Sequence, residues 1–139
     1  MKPYVWVAFI TLCSIHAPLF AADLKPGEWE STVSMEGENL PPGMAQQKTH
    51  TECLSVDQTA DVEKAMYETW TDNGCTNIEV DRDGDTVRWS AICNDGSFNS
   101  SGHMTLVDQE HYTSEIISNT GGMDLIVQTT AEWTGVCTE

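Results

Sequence analysis

The chain has 139 residues, enough for one domain and hardly for two. Its 22 Asp and Glu against 6 Lys and Arg give a formal net charge of −16 at pH 7. Such a surface repels nucleic acid and anionic lipid, and suits cationic partners or plain solubility.

The chain opens MKPYVWVAFITLCSIHAPLFAAD. Lys2 precedes an apolar run from Val5 to Ile15, and Pro18 and the small residues Ala21 and Ala22 follow. That is the order of a secretory signal peptide, and the run is too short to span a bilayer as a helix. Residues 1–21 are expected to be removed, with cleavage after Ala21 or Ala22, leaving residues 22–139 as a single domain with no membrane span. Cys13 follows Ile10-Thr11-Leu12 rather than small residues, so it does not read as a lipoprotein cysteine. The expected location is periplasmic or secreted. Cys53, Cys75, Cys93 and Cys137 then remain, and an even number in a small exported chain reads as two disulfides. With no C-x-x-C pair and no close Cys/His spacing, a zinc site is not expected.

The dominant period is two. In GEWESTVSM, Trp29, Val33 and Met35 alternate with Glu28, Glu30 and Ser34, which predicts a half-buried strand. The loop GENLPPGMAQ follows, and QKTHTEC is the next extended segment. Then the period changes. Ser55 with Gln58 forms a capping-box signature, Val62, Met66 and Trp70 make one helical stripe, and Asn73-Gly74 stops it. One helix over about residues 56–70 is predicted.

From Cys75 on, strand and turn alternate. The stretch CTNIEVDRDGDTVRWSAIC holds three aspartates around one glycine. A calcium loop counted from Asp81 needs Gly at its sixth position and Glu at its twelfth, and here those are Thr86 and Ile92. Asp83-Gly84 is instead a type I′ hairpin signal, setting Val80 opposite Val87 and Ile78 opposite Trp89. Further turns at Asn94-Asp95-Gly96, Asp108-Gln109-Glu110 and Asn119–Gly122 separate three more alternating strands. The expected fold is mainly β: an antiparallel up-and-down meander of about seven strands, a curved sheet or small barrel, with one short helix.

Cys75 and Cys93 are equidistant from Gly84, at the open end of the hairpin. If the last strand closes against the first, Cys53 and Cys137 meet at the opposite end. That favours Cys75–Cys93 with Cys53–Cys137. Strand parity is less kind, since in a regular register Cys93 faces the core and Cys75 does not. The rival pairing is Cys53–Cys75 with Cys93–Cys137.

In order along the chain, Pro26-Gly27-Glu28-Trp29-Glu30, the loop Leu40–Met44, Glu52-Cys53-Leu54, the Cys75/Val87/Trp89/Cys93 hairpin, Gly102, Gly122-Met123 and Gly135-Val136-Cys137 resemble an exported proteobacterial family catalogued as domain of unknown function 3617. The resemblance covers nearly the whole chain after the signal. It implies export, two disulfides and a β fold, and brings no agreed activity.

No chemistry stands out beside it. Met35, Met44, His50, His103, Met104, His111 and Met123 are dispersed, as core and surface residues would be. No G-x-S-x-G elbow appears, and carboxylate pairs are commonplace in so acidic a chain. No catalytic site, metal or cofactor is expected, so the chain is read as a non-catalytic binding protein and not an enzyme. The first expectation is an apolar or small-molecule ligand on the curved sheet, lined by Trp29, Trp89 and Trp133, although burial statistics for aromatic residues favour a core role for them. The second is an acidic inhibitor or envelope accessory that captures a basic protein such as a cationic muramidase.

Overall fold

A computed structural model describes residues 22–38 and 40–138; the expected signal peptide, residues 1–21, lies outside the described residues. The elements are β1 (Gly27–Gly37), β2 (Lys48–Leu54), α1 (Val56–Ala60), α2 (Val62–Asp72), β3 (Cys75–Asp83), β4 (Thr86–Cys93), β5 (Phe98–Asp108), β6 (His111–Thr120) and β7 (Met123–Gly135). One antiparallel sheet takes the seven strands in the order β2-β1-β7-β6-β5-β4-β3. The last strand does pair with the first, through Trp29↔Trp133 and the rungs beyond. Of the two expected forms the sheet is the open one: β2 and β3 are its edges and do not pair with each other.

Alternation assigns the two faces. The inner face carries Trp29, Val87, Trp89, Ala91, Leu106, Tyr112 and Ala131, all buried. Trp29 is 0% exposed, its indole donates to the Lys25 carbonyl at 3.0 Å, and its ring lies 5.4 Å from that of Tyr112. Leu24 and Val62 complete this cluster from outside the sheet. The segment before β1 is tied down by backbone and side chain: the Leu24 N–H donates to Thr59 O at 3.0 Å, and the Asp23 carboxylate accepts from the Val62 N–H at 3.0 Å and from Arg82 at 2.8 Å. A second cluster of Cys75, Ala91 and Cys93 packs against Trp70, Ile78 and Phe98, which fastens α2 over β3 and β4.

The helical stretch is divided where one helix over 56–70 is expected. Asp61 is extended (φ −144°, ψ 100°), and its carboxylate accepts the Lys64 N–H at 3.0 Å. An aspartate that caps the next helix cannot also sit inside a continuous one, so α1 ends at Ala60 and α2 starts at Val62. The Ser55–Gln58 capping box is formed in full.

The β3–β4 hairpin differs from expectation in two details. Its central residues are Gly84 and Asp85, with Asp83 opposite Thr86 and Val80 opposite Trp89. Of the two only Gly84 has positive φ (60°), so the turn follows the II′ pattern and not I′. The slip is two residues, which by itself keeps Val80, Val87 and Trp89 on their expected face. Near the open end, Asn77 and Ile78 together oppose Ala91, so the strand bulges, and Asn77 takes the left-handed conformation (φ 48°). That extra residue resolves the parity conflict. Cys75 comes directly opposite Cys93, both are buried, and they are disulfide-bonded. The second disulfide is Cys53–Cys137, so the favoured pairing holds.

Candidate binding site

On the outer face of β3–β6 the side chains opposite the core residues form two adjacent rungs. One runs Glu79–Ser90–Ser101–Ile117; the next runs Ile92–Asn99–Asn119. The bulge at Asn77 brings a third amide to their edge. Together they line a groove of about 400 Å³, within the size range of small-molecule sites. Its apolar part is Ile92 and Ile117, which are 36% and 43% exposed and unusual as large aliphatics on a polar face. Its polar part is amides and hydroxyls, each able to donate and accept. The Asn119 amide donates to Asp124 at 2.7 Å, which fixes its orientation. Glu79 is the charged residue of the lining, and no Lys, Arg or His joins it. The lining therefore offers no counter-charge to an anion, while Arg88 and His103 stand on the next outer rung, beside Asp81.

The three tryptophans singled out in the sequence lie elsewhere. Trp29 and Trp89 are core residues, 0% and 5% exposed, and so cannot line an open site. Trp89 packs against Gly102 of β5, which has no side chain; a Cβ there would meet the indole Cζ2 at 2.7 Å and the Glu115 carbonyl. Trp133 is half-buried at the end of the sheet. Its indole donates to Pro26 O at 3.1 Å, and the Lys25 ammonium sits 4.7 Å above its ring. Lys25 also pairs with Glu110. These contacts hold the start of β1.

A smaller outer concavity of about 300 Å³ lies over β1, β7 and β6, with Glu30, Glu132 and His111 in its wall. His111 Nδ1 is 2.8 Å from the Asp108 carboxylate. The hydrogen bond to Asp108 raises the His111 pKa, and the same bond lowers that of Asp108. Burial raises the Tyr112 phenol above its ordinary value. Among the described residues no three His, Cys, Asp or Glu side chains are grouped to hold a metal ion. His103 and Met104, adjacent in sequence, point to opposite faces of β5, as alternation requires.

The groove carries no motif. Its asparagines, serines and isoleucines read in sequence as a solvated strand face, and only the bulge, which sequence parity left as an unexplained conflict, hinted at a local concavity. Among the described residues no helix is long and apolar enough to cross a membrane. A family model described as protein of unknown function (DUF3617) matches residues 24–137. No curated protein and no solved structure matches the chain.

Proposed function

The chain belongs to the DUF3617 family, and from that premise, which supplies no activity, we propose that it is an exported, non-catalytic binding protein for a small molecule. The observation that carries this reading is the groove of about 400 Å³ on β3–β6, with amides and hydroxyls around the aliphatic pair Ile92 and Ile117. A ligand that suits it is neutral or cationic, rich in hydrogen-bonding groups, and apolar along one edge. Export through the signal peptide, to the periplasm or beyond the cell, fits two disulfides, which persist in oxidising compartments.

The test is an NMR titration of the 22–139 protein with neutral saccharides, a primary alkylamine and inorganic phosphate. Shifts confined to the outer residues of β3–β6, produced by a neutral or cationic probe and lost in Asn99→Arg, are expected. Shifts with phosphate alone, or none with any probe, overturn the reading.

A second reading is supported by charge. Glu79, Asp81, Asp83 and Asp85 are all exposed on the β3–β4 hairpin, and the nearby Arg82 is already bound to Asp23. This hairpin would hold a basic protein as an inhibitor or envelope accessory. Binding to a cationic muramidase that weakens steeply with salt supports it; small-molecule binding would not share that dependence.

A further inference from the structure

The sheet has two free edges, and their charge patterns differ. β3 is acidic along its outward positions Glu79, Asp81 and Asp83, and its register is broken by the bulge between Thr76 and Glu79. A second β3 laid against it would oppose like charges and find an interrupted ladder. β2 is different. It pairs with β1 without a register shift from Leu54 to Lys48, and Lys48 through Cys53 are all exposed. Its far side has no strand partner.

Lys48, His50 and Glu52 share the inner face of β2, opposite Val33, Ser31 and Trp29. An antiparallel copy centred on His50 places Lys48 opposite Glu52 of the second copy, and Glu52 opposite its Lys48. Thr49 then faces Thr51, and the two His50 side chains meet at the axis. Each charge on the strand meets one opposite charge, giving two ion pairs related by the axis, which is the self-complementarity that a twofold interface demands. Directly opposed unlike charges stabilise a strand pair, and like charges destabilise it.

We infer that β2 is a self-association edge, joining two copies of this chain through antiparallel β2–β2 pairing in the register centred on His50. The pairing is isologous and continues both sheets with their inner faces on one side. Only a short strand edge is buried, so the dimer belongs to the weak, concentration-dependent class. The partner is a second copy and not an arbitrary peptide, because the Lys-x-His-x-Glu order is complementary to its own reverse.

The experiment is sedimentation equilibrium of the 22–139 protein from about 10 µM to 1 mM, a range that brackets weak association. Near-UV circular dichroism confirms the fold of each variant. Wild type is expected to dimerise with rising concentration. Lys48→Glu and Glu52→Lys are each expected to remain monomeric. The double exchange Lys48→Glu/Glu52→Lys, which keeps the net charge, is expected to regain the dimer, and a mixture of the two single variants to form the heterodimer. A monomeric wild type overturns the inference. So does an unaffected dimer in the single variants, which would place the interface elsewhere. A stronger dimer in Glu52→Lys also overturns it, since reduced net repulsion rather than register would then govern association.

Discussion

Both β2 and β3 pair on one side only, yet β3 is covered and β2 is bare. β3 is roofed by α2 through Trp70 and bulged at Asn77, and its disulfide to β4 is buried. β2 is regular, exposed on both faces, and fixed by a disulfide whose two cysteines are solvent-exposed. One edge is held by local packing. The other is held by a covalent link to a distant part of the chain. The lesson is that an edge strand can be secured either by burying it or by limiting what the unfolded chain can do.

Removing the two disulfides tests that contrast most strongly. The Cys53–Cys137 link spans 84 residues and the Cys75–Cys93 link 18. In the chain-entropy model these are worth about 4.5 and about 3 kcal/mol. Cys53→Ala/Cys137→Ala is expected to lose the larger amount in urea unfolding, with faster amide exchange in β2 and the start of β1. Cys75→Ala/Cys93→Ala should raise exchange in β3, β4 and α2 instead, where the buried sulfurs also contribute packing. Uniform exchange changes in both variants would erase the distinction between the edges.

A smaller effect sharpens it. Asp61→Ala removes the carboxylate that caps α2, and is expected to cost about 1 kcal/mol. The change in exchange should be confined to α2 and the β3 edge beneath it, leaving β2 unaltered.

The smallest effect lies at neither edge, in the β5–β6 turn. The hydrogen bond to Asp108 raises His111 above 6.5 and lowers Asp108 below 3.8. The raised histidine contributes stability fully below 6.5, and loses it as pH climbs through its folded value. The lowered aspartate contributes above 3.8, and loses it as pH falls through its folded value. The pair is therefore strongest between those two limits. Both groups are exposed, so the effect on unfolding is expected to be slight. Asp108→Asn should instead show in NMR as a His111 titration moved back toward its ordinary pH.

Much of this architecture was readable from residue patterns. Alternation put Trp29, Val33 and Met35 on one side of the first strand, and the distance of two cysteines from Gly84 put them at one end of a hairpin. A shift of two residues keeps the alternation intact, so the pattern could not tell a turn at Asp83-Gly84 from one at Gly84-Asp85. The bulge at Asn77 was invisible for a different reason: many strand residues are compatible with it, and only the parity of Cys75 betrayed it. The division at Asp61 was hidden because Val62, Met66 and Trp70 all lie within α2, and their spacing says nothing about what precedes them. The groove was least readable, since neighbouring strands create it from residues unremarkable in any one strand. The size of the tryptophans suits a ligand wall as well as a core, and the core role that burial statistics favour is the one Trp29 and Trp89 take.

The Cys53–Cys137 bond has a topological consequence. β1 lies between β2 and β7, with Glu28 opposite Cys53 on one side and Gly135 on the other. The bond passes from β2 to the tail beyond β7, so residues 53–137 close into a covalent ring, and β1 and the Lys48–Glu52 part of β2 lie outside it. In mechanical terms the bond is a clasp across the start of β1, beside Glu28. Tension on β1 cannot spread its two neighbours apart at that end. Release there means shearing rungs on both sides together rather than peeling one side at a time.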